Sequence, residues 1–219
     1  MLDVHPPHEK MHGFKDFLLH LLTITIGLLI ALGLEGCVEH WKQRELKKDA
    51  DTKLRQEIRE NAKEIASVHN ATAIEQANLT RIAEFLSARK KNQSYDTRQI
   101  RLGFTVGDLK SASWKTAAAT GALGFMEYDQ VQRYADVYQL QDKYSALQDQ
   151  TIDEFLQLQS YLIYGFDPEK ITPADAGSAE LETRRTLAHL TAMDQIGTAL
   201  AMEYNALVGA LFQAEFPKL

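Results

Sequence analysis

At 219 residues, with 45% hydrophobic and 25% charged side chains, the chain is long enough for one or two domains with a real core. Thirty acidic against 24 basic residues leave a net charge of -6, spread along the chain, which argues against nucleic acid as a partner because such binders carry a basic face. A single cysteine excludes an intramolecular disulfide, and the few prolines and glycines gather at segment junctions, as in long helices joined by few loops.

Residues 1–13 form a polar tail. They contain His8-Glu9-Lys10-Met11-His12, a formal H-E-x-x-H match. On a helix that spacing puts two imidazoles on one face for Zn²⁺, with Glu9 as general base. The context is wrong. Two prolines precede it, an apolar run follows, and the nearest acids that could complete the ligand set are Asp16 and Glu35. The same holds for simple chelation by His5, His8 and His12. The tail therefore reads as a solvated segment, and the sequence assigns no metal, cofactor or catalytic residue.

Residues 14–39 are expected to be a transmembrane helix. From 17 to 38 the only strongly polar side chains are His20 and Glu35. At about 1.5 Å per residue this stretch reaches roughly the 30 Å of a bilayer's hydrocarbon. Phe14 and Phe17 at one end and Trp41 at the other suit interfacial anchors. Leu34-Glu35-Gly36-Cys37 looks like a lipidation site, but Glu35 stands where such sites take a small or apolar residue, so Cys37 reads as an ordinary membrane cysteine. Thr23, Gly27, Ala31 and Glu35 recur every four residues with His20 on the same side, which makes this stripe a candidate oligomer interface. His20 and Glu35 are also a candidate ion or proton site, as ionisable groups inside a span are by default. Lys42, Arg44, Lys47, Lys48 and Lys53 after the span outnumber Lys10 and Lys15 before it, a lean towards a cytoplasmic C-terminal domain. Interleaved Glu45, Asp49 and Asp51 weaken it.

The remainder, residues 40–219, reads as a helical bundle. A first helix over about 40–91 carries Ile58, Ile65, Val68, Leu79, Ile82 and Leu86 on one 3–4 spaced seam, with Asn61, Thr72 and Glu75 as polar interruptions. Residues 91–111 form a connection. An Ala-rich helix over about 112–125 follows, with Ser111 or Ser113 as its cap and Trp114 as a core residue. A helix over about 128–164, opened by Glu127 or Asp129, is expected to bury Val137, Leu140, Tyr144, Leu147, Thr151, Phe155, Leu158 and Leu162. The prolines and glycines of 165–178 break the pattern. A last helix over about 179–214 has Leu190, Met193, Gly197, Leu200, Tyr204, Leu207 and Leu211 on its seam. Six of eight tyrosines fall between 128 and 164, and read as an aromatic core in preference to a ligand pocket. The fold class is all-α: an N-terminal transmembrane helix followed by an elongated bundle.

Two stretches carry a resemblance. Residues 27–35 (GLLIALGLE) run into EHWKQRELKKD, and SASWKTAAATGALGFM is followed by VQRYADVYQLQDKY, with Trp114, Gly121, Leu123, Tyr134 and Tyr138 in place. The chain in this respect resembles a broad group of bacterial single-pass membrane proteins with an N-terminal anchor and an all-helical C-terminal domain. The resemblance implies the inner membrane and tilts the domain to the extracytoplasmic side. It implies no reaction, since its motifs are packing motifs.

The sequence thus points first to a membrane-anchored scaffold or sensor-like module, not an enzyme, working through protein contacts. Its expected partners are the bilayer and a second copy of itself, or a different membrane protein. A channel or transport-associated subunit with His20 and Glu35 on the pathway is the alternative. A metal-dependent membrane hydrolase through His8, Glu9 and His12 is a more distant one.

Overall fold

The computed structural model describes residues 13–101, 103–162 and 170–215, with side chains to residue 209. The tail histidines, Tyr164 and the Leu211 side chain lie outside the described residues. Among the described residues four α-helices follow in order: α1 Phe14–Lys90, α2 Ala112–Ala119, α3 Tyr128–Tyr161 and α4 Pro173–Glu215, with a 3-10 turn, Ala122–Phe125, between α2 and α3. Among the described residues there is no strand. The chain divides into two compact units, Met1–Lys48 and Asp49–Leu219, and α1 contributes to both.

In the first unit α1 carries an apolar window of mean hydropathy 2.4, none of it buried, long and apolar enough to cross a membrane. Its hydroxyls are satisfied within the helix: Thr23 donates to the Leu19 carbonyl at 2.9 Å and Thr25 to that of Leu21 at 2.8 Å. Such internal bonding is what a lipid environment demands of any polar group.

In the second unit three helices share one core. On α1 the buried seam runs Leu54, Ile58, Asn61, Ile65, Val68, Thr72, Glu75, Leu79, Ile82, Leu86. Its unbroken 4-3 alternation is the spacing that lets near-parallel helices interlock. α3 supplies Tyr134, Val137, Gln141, Tyr144, Gln148, Thr151, Phe155 and Leu158, and α4 supplies Thr183, Thr186, Leu190, Met193, Leu200, Tyr204 and Leu207. Rising pairs (Asp51 with Gln130, Glu57 with Tyr138, Asn61 with Gln141) make α3 parallel to α1. Falling pairs (His69 with Asp194, Lys90 with Glu180) make α4 antiparallel to it.

Two parallel consecutive helices need a return segment, and residues 104–111 provide it. They descend along α1 in extended form, Thr105 opposite Glu75 and Ser113 opposite Glu57. Residues 57–75 cover roughly 27 Å of helix. Residues 105–113 cover about the same length as extended chain. The unit is therefore an up-down-up-down bundle in which the second member is a strap instead of a helix.

Several expectations are corrected. On α3 the seam residues are Gln141 and Gln148; Leu140 and Leu147 are only half-buried, because the carboxamides reach the strap's backbone and the leucines cannot. α4 begins at Pro173, not near 179. Proline's fixed φ and missing N–H suit the first helical turn, and Thr172 Oγ1 accepts the Asp175 amide at 3.2 Å. Ser111 does occupy the N-cap position of α2, but its side chain makes no cap bond; Glu57 caps from α1 in its stead. Trp114 is half-buried, stacked on Tyr138 with centroids 5.2 Å apart. The helix expected over 112–125 ends at Ala119, and Gly121, at φ 74°, makes the left-handed turn that follows.

Candidate functional site

The two groups of residues that could carry function lie in different units. In the first, Thr23, Gly27, Ala31 and Glu35 recur along the exposed apolar part of α1. A Cβ placed on Gly27 would meet nothing within 4 Å, so the stripe is open for a partner's backbone to approach. Around it Leu21, Leu22, Leu28, Leu29 and Leu32 are at least half-exposed. Cys37 is exposed and free.

In the second unit the polar interruptions of the α1 seam converge on the strap. An extended segment with no neighbouring strand has backbone donors and acceptors that need partners, and side chains supply them. Glu75 Oε1 accepts the Thr105 amide at 2.6 Å. Gln148 accepts the Gly107 amide at 2.9 Å and donates to the Gly107 carbonyl at 3.0 Å. Glu64 accepts the Asp108 amide at 3.2 Å. Asn61 accepts the Lys110 amide at 2.8 Å and donates to its carbonyl at 2.7 Å, where Gln141 donates as well at 3.0 Å. Asn61 and Gln148 thus each pair with one strap residue as a neighbouring strand would.

All four members of the bundle meet at this level. Asn61 donates to Gln141 Oε1 at 3.1 Å and Tyr204 donates to the same oxygen at 2.6 Å. One layer below, the buried Glu57 carboxylate accepts the amides of Ser113 at 2.8 Å and Trp114 at 3.4 Å, and the Tyr138 hydroxyl at 2.6 Å. A carboxylate on the free amides of a helix N-terminus is where its charge is best placed. Burial and then the bond to Glu57 push the Tyr138 hydroxyl far above its ordinary value. Burial does the same to Tyr204 and Tyr134.

One layer above, Gly197 makes room for an aromatic ring. A Cβ there would lie 3.1 Å from Tyr144 Cε2 and 3.5 Å from Ile65 Cδ1. The Tyr144 hydroxyl is buried with no hydrogen-bond partner among the described residues, and burial pushes it up to about 12. A cavity of about 10 Å³, room for roughly one water, is lined by the Tyr144 side chain, Gly197 and the His69–Asp194 pair, whose atoms are 2.8 Å apart. His189 Nδ1 and Glu154 Oε2 stand 2.6 Å apart between α4 and α3, close enough for an ion pair but not aligned as a hydrogen bond.

Of the tyrosines between 128 and 164, Tyr134, Tyr138 and Tyr144 are core residues, whereas Tyr128 and Tyr161 are exposed. Among the described residues no three His, Cys, Asp or Glu side chains group as a metal site would require. The H-E-x-x-H residues His8, Glu9 and His12 lie outside the described residues. What the polar layers do chemically is hold a polypeptide backbone. The sequence signal for them was present in Asn61 and Glu75, which interrupt an otherwise apolar seam; Thr72, a third interruption, bonds back to the Val68 carbonyl of its own helix. Gln141 and Gln148 gave none, since each stands beside a leucine that fits the same period. No protein-family model, curated protein or solved structure matches this chain.

Proposed function

We propose that the chain is a membrane-anchored helical scaffold or sensor-like module that acts through protein contacts and self-associates through its apolar helix. The observation that carries this reading is the exposed apolar window of α1, on the same helix whose later turns form one wall of the bundle core. Apolar surface of that extent and hydropathy is stable in lipid and costly in water. The resemblance to bacterial single-pass proteins supports the inner membrane as its location and the extracytoplasmic side for the bundle.

Lipid offers helices no hydrophobic drive to associate, so small residues that admit close backbone approach, and polar groups that a partner satisfies, decide the contact face. Gly27 and Ala31 supply the first and Glu35 the second. Crosslinking in native membranes tests the face: Gly27→Leu and Ala31→Leu lower the yield of oligomer, and a control, Leu28→Ile, does not. Equal yields from all three remove the stripe as the interface. Conductance that disappears in Glu35→Gln would transfer the assignment to a pore lined by His20 and Glu35. Intact mass of the extracted protein is expected to match an uncut chain with Cys37 unmodified; a mass starting at an acylated Cys37 would replace the span with a lipid anchor.

A further inference from the structure

The 3-10 turn Ala122–Phe125 and the residues beside it carry an apolar surface that the bundle does not use. From Thr116 to Met126 the chain has no charged side chain. Ala117, Ala122 and Met126 are buried and pin the segment to the bundle. Leu123 is half-buried, Phe125 is 39% exposed and Tyr128 is 78% exposed. The polar groups between these side chains are satisfied within the segment. The amides of Gly121, Gly124 and Met126 donate to the carbonyls of Ala118, Gly121 and Leu123 at 3.2, 3.0 and 3.2 Å, and the Thr120 hydroxyl donates to the Thr116 carbonyl at 2.9 Å. An exposed turn bonded to itself in this way asks little of water.

The place of this turn in the chain limits what can cover it. Gln130, in the first turn of α3, donates to Asp51 at 2.6 Å, and the second unit begins at Asp49. Leu123, Phe125 and Tyr128 therefore belong to the end of the bundle at which α1 joins it. From Trp41, an exposed residue just past the apolar window, α1 needs about 12 Å of helix to reach Asp49. A headgroup layer takes up roughly 5–8 Å of such a distance, and aromatic side chains reaching down cover most of the rest. Phenylalanine and tyrosine suit that layer, the first by its apolar ring and the second by a ring with a polar tip. Glu127 and Asp129 beside Tyr128 are exposed acids, so attraction to anionic lipid is not what would hold the turn there; burial of the rings is.

We propose that this turn is a second, shallow contact with a lipid surface: Phe125 and Tyr128 insert at the boundary between headgroups and acyl chains of the membrane that α1 spans. The inference rests on the membrane reading of α1 and adds to it. A single span leaves the domain it carries free to tilt, and interfacial aromatic residues are what fix such a tilt. A second contact beside the span fixes the face that the bundle presents to a neighbouring copy.

The test uses the full chain carrying Cys37→Ser, reconstituted in phosphatidylcholine vesicles, with one nitroxide label at a time on Phe125→Cys, Tyr128→Cys, Leu29→Cys or Ser94→Cys. Electron paramagnetic resonance reads the access of each label to oxygen, which concentrates in lipid, and to a water-soluble nickel complex. Leu29 lies in the apolar part of α1, and Ser94 is exposed just beyond its last turn. Tyr128 is so exposed that its replacement leaves the core intact, so its label reports even where Phe125→Cys disturbs the turn. The ratio of oxygen to nickel access at 125 and 128 is expected to exceed that at 94 several-fold and to stay below that at 29. Phe125→Glu is expected to return the label at 128 to the ratio found at 94. A ratio at 125 and 128 equal to that at 94, with the label at 29 in lipid, overturns the contact and leaves the span standing. Water-like access at 29 overturns the span and the inference with it. Labels at 125 and 128 shielded from both reagents would show a protein surface over the turn, a second copy or another chain, and overturn the lipid assignment.

Discussion

Asn61 occupies a seam position of α1 where Leu or Ile would continue the apolar row, and it is 1% exposed. Its carboxamide works as a piece of strand, giving and taking one bond with Lys110 and a further one to Gln141. Replacing Asn61 by Leu would add apolar contact but strip the Lys110 amide and carbonyl of this partner. Unmet buried backbone groups cost about 1–3 kcal/mol each, more than one methyl or two returns at roughly 0.8 kcal/mol per buried methylene. Asn61→Leu is therefore expected to lower unfolding free energy, measured by urea titration, and to loosen the strap amides first. Leu200→Ala and Leu207→Ala, at apolar positions that are 0% and 4% exposed, are expected to cost roughly 2–5 kcal/mol, the range for truncating a buried leucine. If Asn61→Leu proves stabilising, the carboxamide contributes less than the packing it displaces.

The helices were legible in the sequence because a period of 3–4 residues is local. Ile58, Ile65, Val68, Leu79, Ile82 and Leu86 were identifiable from spacing alone, and so was the α4 seam from Leu190 to Leu207. The strap was not legible, because residues 104–111 show no alternation and their partners lie 30 to 50 positions away along the chain. Nor could spacing choose Gln141 over Leu140, since that choice depends on what the other side of the groove offers. The docking of α4 gives a pH prediction at the same scale. Lys90, and then Arg184, hold the Glu180 carboxyl below its ordinary value. A lowered folded pKa contributes stability present above the unfolded value of 4.5 and lost as pH falls through the folded one. Tyr134, Tyr138, Tyr144 and Tyr204 are raised by burial from 10.0, so their contribution is complete below pH 10 and is lost as pH rises further. Thermal midpoints are expected to fall at both extremes. Glu180→Gln should make the acid limb shallower, and Tyr204→Phe should lower the midpoint at neutral pH, through loss of the bond to Gln141, and make the alkaline limb shallower.

At the scale of the molecule the two units ask for different solvents. Every buried apolar side chain of the core, from Leu54 on α1 to Leu207 on α4, belongs to Asp49–Leu219. The described part of Met1–Lys48 has no buried residue at all and displays Phe17, Leu18, Leu19, Leu21, Leu22 and their successors. Every described layer of the bundle, including the strap and its partners, is built from residues of Asp49–Leu219. A fragment of residues 49–219 is accordingly expected to fold alone, to stay in solution without detergent, and to unfold in one cooperative thermal transition followed by circular dichroism, as single domains of this size do. The full chain is expected to require detergent or lipid, because its exposed apolar helix would otherwise aggregate. The two measurements separate the fold from the anchor. A fragment that remains unfolded would mean that the first half of α1 is part of the folding unit. A full chain that stays soluble and monomeric without detergent would instead remove the membrane reading and leave the bundle untouched.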